Sequence, residues 1–182
     1  MAADSTRTRT VVVIRHAKAQ DMEHSGASTD HERSLTTRGR ADAAAVGELL
    51  ATVLDPDAET LTMVSSAARA VETWEQVAAE LDAVPEARVL DELYEAGGNE
   101  VVDLLALLDD DVHVAVVVGH NPTMQAMVHQ LDNRDDEDLT GQLDKRGMST
   151  ASVAMLELDG PWSGIEPGSC RLVRLEVPRA DH

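Results

Sequence analysis

The chain has 182 residues, 43% of them apolar, enough for one ordinary domain with its own core. Fifteen Lys and Arg against 34 Asp and Glu give a formal charge of -19, which sets the surface against nucleic acid and anionic membranes. No apolar run approaches the ~20 residues of a membrane span, "MAADSTRTRT" lacks the apolar core of an export signal, and the lone Cys170 has no internal partner for a disulfide, so a cytoplasmic protein is expected.

The first nine residues are expected to be flexible. Val11, Val12, Val13 and Ile14 then read as a fully buried strand that runs directly into Arg15 and His16. A polar stretch, 19–34, holds His24, Gly26 and Asp30 in a loop. A helix is expected to start near Thr36 or Thr37, with Val46, Leu49, Leu50 and Val53 at helical spacing. After the turn "DPDAE" comes a short strand, "TLTMVSS". The next helix, "AARAVETWEQVAAELDAV", places Val71, Trp74 and Val77 on one face. "ARVLDEL" reads as a short strand and "NEVVDLLALLDD" as a third helix.

The strongest strand signal spans His113 to Val118 and leads into Gly119 and His120, followed by the helix "MQAMVHQL". Residues 132–147, "DNRDDEDLTGQLDKRG", read as a charged loop. "TASVAMLEL" and "CRLVRLEV", joined by the turn-rich "DGPWSGIEPGS", predict an antiparallel pair. With no Phe, two Trp and one Tyr, the core falls to Val, Leu, Ala and Met, and no base-stacking platform is in view. No repeat or boundary divides residues 1–182, so one domain is expected. Alternating strands and helices predict a largely parallel sheet covered on both faces.

In such folds ligands bind beyond the carboxyl ends of the strands. The first strand delivers Arg15 and His16 there. The second delivers Ser65 and Ser66, with Arg69 in the first turn of the helix that follows, and the strand ending at Val118 delivers His120. Two guanidiniums at one sheet edge call for an anion, and their forked donors match phosphate oxygens. A neutral imidazole beside that phosphate can attack phosphorus directly. Two histidines also raise a zinc site, but no His-x-His, HExxH or paired-cysteine spacing accompanies them. The other histidines, at 24, 31, 113, 129 and 182, have no comparable setting, and His113 starts a strand and belongs to the opposite edge.

"VVVIRHAKA" resembles the signature Arg-His-Gly/Ala motif of the histidine phosphatase superfamily, the phosphoglycerate-mutase-like fold. "RSLTTRGRADA" is similar to the Arg-Pro-Leu-Thr-x-x-Gly stretch of its small SixA-type branch, the phosphohistidine phosphatases. "VSSAARAVETW" resembles the Ser-x-x-x-Arg-x-x-x-Thr segment and "VVVGHNPTM" the second-histidine segment. The matches run in order over most of residues 10–179. Ala17 stands where glycine is commoner and Ser34 where proline is.

The resemblance implies a three-layer α/β sandwich with a mixed, mostly parallel central sheet, helices on both faces and no large cap domain. It implies His16 as the nucleophile that becomes phosphorylated, with Arg15, Arg69 and His120 binding the phosphoryl group and Arg33 near it. Glu92, or next Glu95, falls where larger relatives carry a general acid. No metal and no cofactor are implied, since arginines carry the charge. The implied partner is a phosphorylated substrate, a phosphohistidine-bearing protein first and a small phosphomonoester second. A non-catalytic phosphate-binding module and a metal hydrolase are the rival classes.

Overall fold

In the computed structural model residues 7–180 are described. The chain runs β1 (Thr8–Arg15), α1 (Met22–Ser25), α2 (Thr37–Val53), β2 (Thr60–Ser65), α3 (Ala68–Ala79), β3 (Glu86–Leu90), α4 (Glu92–Glu95), α5 (Gly98–Ala106), β4 (Val114–Gly119), α6 (Thr123–Leu131), α7 (Glu137–Arg146), β5 (Val153–Asp159) and β6 (Cys170–Glu176). One six-stranded sheet has the order β3-β2-β4-β1-β5-β6. β3, β2, β4 and β1 run parallel, and β5 is antiparallel to both β1 and β6. This is the expected mixed sheet, without a large cap domain. Among the described residues no helix is long and apolar enough to cross a membrane.

Strand alternation divides the core in two. Val12 and Ile14 face α2 and α3, where Val46, Leu50, Ala70, Trp74 and Val77 are buried. Val11 and Val13 face the other side, where α4 to α7 contribute Leu93, Val101, Leu105, Met127, Leu131 and Leu143. The central strands β1 and β4 carry unbroken apolar runs, Val11 to Ile14 and Val114 to Val118, because both their faces are covered.

α2 starts where the sequence places it. Thr36 caps it, accepting from Gly39 N at 2.9 Å, and also donates to Lys18 O at 3.1 Å. A Cβ on Gly39 would lie 2.1 Å from that Lys18 carbonyl oxygen, so only glycine lets the helix pack this close to the chain leaving β1.

Three expectations need correction. Residues 132–147 are not all loop, because 137–146 form α7. Asp136 caps it by accepting from Asp138 N and Leu139 N, and acids at its start and Lys145 and Arg146 at its end suit the helix dipole. Its apolar stripe is only Leu139 and Leu143, too thin to register as periodicity. Thr8 and Arg9 are not flexible: both pair with β5, and the buried Arg9 guanidinium bonds Gly160 O and Asp110. Residues 1–6 of that segment lie outside the described residues. The strand in "ARVLDEL" stops at Leu90, and Glu92 opens α4 instead.

Candidate active site

Strand order builds the site. β1 and β4 are parallel neighbours in a register that pairs Arg15 with Gly119, so His16 and His120 leave the sheet side by side. His16 N donates to Gly119 O at 2.9 Å, and the two rings lie 5.1 Å apart. β2 flanks β4 and brings Ser65 under His120, with Ser65 Oγ 2.7 Å from Nε2. The next helix, α3, carries Arg69 in its first turn. Thr73, one turn later, ties that helix to the chain after His16, accepting from Ala17 N at 3.0 Å and donating to Arg69 O at 2.6 Å.

The buried His16 ring has its tautomer set by its neighbours. Nδ1 lies 2.8 Å from Ala17 O, and a carbonyl only accepts, so Nδ1 carries the proton. In the neutral ring Nε2 is then left with a lone pair, toward which Arg69 Nε–H donates at 3.4 Å. Burial above all, joined by His120, Arg69 and Arg15, pushes the His16 pKa down to about 3 against the opposing Ala17 bond. The ring is neutral at physiological pH, the state in which an imidazole is a nucleophile.

His120 is pushed down to about 4, first by burial and then by the charge of Arg69. Ser65 Oγ is buried, and among the described residues the acceptor within reach of its hydroxyl proton is His120 Nε2. Nδ1–H of His120 is therefore a donor, and it is buried without a partner. Arg15 Nε is likewise buried and unpartnered, while Arg15 Nη1 bonds Met148 O at 2.8 Å. Buried donors left over in this way call for an acceptor. Two of them beside a neutral imidazole and the Arg69 guanidinium suit the oxygens of a tetrahedral oxyanion.

The neutral rings have a consequence for acid stability. Between pH 6.5, where an unperturbed histidine titrates, and about 3, the unfolded chain binds a proton at position 16 that the folded chain does not. Stability therefore falls as pH drops through that window. In urea titrations between pH 6.5 and 4.5, His16→Gln is expected to lose stability less steeply than the wild type. Equal slopes would show that His16 is not held neutral.

The structure brings together Arg15, His16, Arg69 and His120. It does not bring Arg33 to His16. Arg33 Nε and Nη2 bond Asp30 Oδ1 at 3.0 and 2.7 Å, and Nη1 bonds Gln20 O at 2.7 Å. Glu92 is exposed at the start of α4 and, among the described residues, bonds none of the four. Glu95 is also exposed. Among the described residues no three or more His, Cys, Asp or Glu are grouped to hold a metal ion.

The sequence reading overlooks three groups at the rim. His31 does have a comparable setting: its Nε2 lies 2.9 Å from Ser66 Oγ, and its ring meets the edge of Tyr94 at 4.8 Å. Tyr94 in turn meets His120 at 5.7 Å, so His31, Tyr94, His120 and His16 form a row of rings from the rim inward. Tyr94 OH donates to Asp30 Oδ2 at 3.0 Å, and burial together with that carboxylate pushes the phenol pKa up. The available signal for Tyr94 was its rarity, as the chain's single tyrosine beside a strand end.

Residues 11–106 match the histidine phosphatase superfamily (branch 1). An uncharacterized protein of Mycobacterium tuberculosis is 31% identical over 167 residues, 91% of this chain and 100% of the relative. Among solved structures, a putative phosphohistidine phosphatase SixA from Nakamurella multipartitia superposes with a TM-score of 0.75 at 29% identity, covering 94% of this chain and 96% of that one. A putative phosphohistidine phosphatase SixA from Agrobacterium tumefaciens gives 0.74 at 25% identity, covering 93% and 98%.

Proposed function

The chain belongs to the histidine phosphatase superfamily (branch 1) and is a phosphatase, and we propose that it removes the phosphoryl group from phosphohistidine on a protein, through a phosphorylated His16. The observation that carries this reading is the buried His16 Nε2 lone pair beside Arg69, with the unpartnered donors of Arg15 and His120 around it.

In this reading Nε2 of His16 attacks phosphorus in line. The N–P bond to Nε2 forms as the N–P bond of the substrate breaks, and the departing substrate imidazole takes up a proton from solvent water. Arg15, Arg69 and Nδ1–H of His120 hold the phosphoryl oxygens, whose negative charge they are placed to offset. Water then attacks phosphorus, releasing phosphate and neutral His16.

Two features support a protein-borne phosphohistidine. Without a large cap domain, a side chain on another protein can reach the site. The rim offers the rings of Tyr94 and His31 to a planar leaving group, and aromatic pairs of this kind favour edge-to-face contact. An imidazole is also a better leaving group than an alkoxide, which suits a site whose expected general acid, Glu92, is exposed.

The test compares a phosphohistidine-bearing protein with an alkyl phosphomonoester. Higher kcat/KM is expected on the phosphohistidine. General-acid catalysis contributes about 10²- to 10⁴-fold, so Glu92→Gln is expected to cost far less than that on the phosphohistidine substrate. A preference for the alkyl ester, with a large Glu92→Gln loss confined to poor leaving groups, would make the protein a small-molecule phosphomonoesterase with Glu92 as its proton donor.

A further inference from the structure

Both Arg33 and Arg69 converge on one carboxylate. Asp30 lies on a single 3-10 turn, Asp30–Glu32, whose entry is closed by Ser28 N and Thr29 N donating to the Glu32 carboxylate at 2.9 and 3.2 Å. Its Oδ1 takes the paired bonds from Arg33. Its Oδ2 accepts Arg69 Nη2 at 2.9 Å and Tyr94 OH at 3.0 Å, and its main-chain oxygen accepts Arg69 Nη1 at 2.8 Å. These donors, Arg33 first, hold the Asp30 pKa down to about 2, so it is a carboxylate at any working pH.

The two guanidiniums are used differently. Arg33 spends all three of its nitrogens on Asp30 and Gln20, away from His16. Arg69 is bound to Asp30 through both Nη atoms, while Nε–H is aimed at His16 Nε2. A guanidinium is planar, so fixing both Nη atoms fixes the direction of Nε–H and of the remaining Nη hydrogens. A carboxylate this close to an anion site would ordinarily repel the substrate. Here two arginines share its charge.

We infer that Asp30, braced by Arg33 and Tyr94, is a positioning residue for Arg69, and that Arg33 acts on the phosphoryl group only through Asp30. The inference rests on the phosphatase reading. It moves Arg33 out of direct phosphate contact and assigns Asp30 a role in turnover.

The experiment is a double-mutant cycle on the full chain, with Asp30→Asn, Arg33→Gln and their combination. It reads kcat on an aryl phosphate and the calorimetric affinity for inorganic phosphate. A small misalignment of a reacting group costs on the order of 10²-fold, so each single variant is expected to lose about 10- to 100-fold in kcat. Removing the Asp30 charge offsets the looser arginine in binding, so phosphate affinity is expected to hold. The combined variant is expected to be no slower than the slower single one, because both remove the same alignment.

Three outcomes overturn the inference. Additive kcat losses, with Arg33→Gln weakening phosphate binding, would put Arg33 on the phosphate itself. Tighter phosphate binding and undiminished kcat in Asp30→Asn would make Asp30 a competitor of the substrate. Recovery of activity in Arg33→Lys would mean that charge alone is needed, since an ammonium keeps the charge but not the fork. Asp30 and Arg33 side chains are 49% and 20% exposed, so folding is expected to survive, and the Arg33 variants carry the test if Asp30→Asn does not fold. Wild-type turnover is the reference: its absence overturns the phosphatase reading, whereas normal wild-type turnover with any of these outcomes overturns this inference alone.

Discussion

Replacing His16 with alanine is expected to abolish phosphatase turnover and acid-labile phosphate labelling of the protein together. Removing the nucleophile of a covalent mechanism costs on the order of 10⁴-fold or more. No neighbouring imidazole can take over. His120 Nε2 is occupied by the Ser65 hydroxyl, and its Nδ1 bears the proton. His31 Nε2 is engaged with Ser66 at the rim. The fold is expected to survive, because the main-chain bonds of residue 16, to Gly119 O and from Ala151 N, do not depend on the side chain. The measurement is phosphate release alongside gel detection of the labelled chain. A variant that kept near-normal release, or still became labelled, would remove His16 from the chemistry.

Much of this arrangement is legible in the sequence because it depends on strand ends. Apolar runs at 11–14 and 114–118 announce buried parallel strands, and whatever follows such a run must emerge at the carboxyl edge. Arg15, His16 and His120 are placed by that rule, and Arg69 by its position in the first turn of α3. What is not legible lies where contacts join distant segments without periodicity. Asp30 and His31 sit in a polar stretch with no apolar pattern. Their partners, Arg69, Tyr94 and Ser66, are 39, 64 and 35 residues away. Arg33 shows the same limit: the family resemblance implies a place near the site, but only geometry shows that its donors end on Asp30 and Gln20. α7 is hidden for a different reason, since a helix whose apolar face is only the half-buried Leu139 and the buried Leu143 looks like a loop.

Arg69→Gln is expected to lower kcat by about 10³-fold, with a smaller change in KM. A single preorganised donor to a developing oxyanion is worth about 10²- to 10³-fold, and an arginine that offsets phosphoryl charge about 10³- to 10⁵-fold. Arg69 is buried and has a double task. Its Nε–H rests on the lone pair of His16 Nε2, and in the proposed mechanism that lone pair must be released for attack. As phosphorus approaches Nε2, a phosphoryl oxygen comes within reach of the same N–H, which Asp30 holds in place, so the bond lost at the nucleophile is regained on the transferring group. This exchange is realised only as the reaction proceeds, which is why the loss should fall on kcat. Glutamine removes the charge and leaves the Asp30 carboxylate without its buried partner beside the incoming anion. Lysine should rescue little, because one ammonium cannot bond Asp30 at two points and also reach Nε2. Steady-state kinetics on an aryl phosphate decides the matter. A kcat for Arg69→Gln within about fivefold of the wild type, against the ~10³-fold expected of a transition-state donor, would mean that Arg15 and His120 carry the phosphoryl group without it.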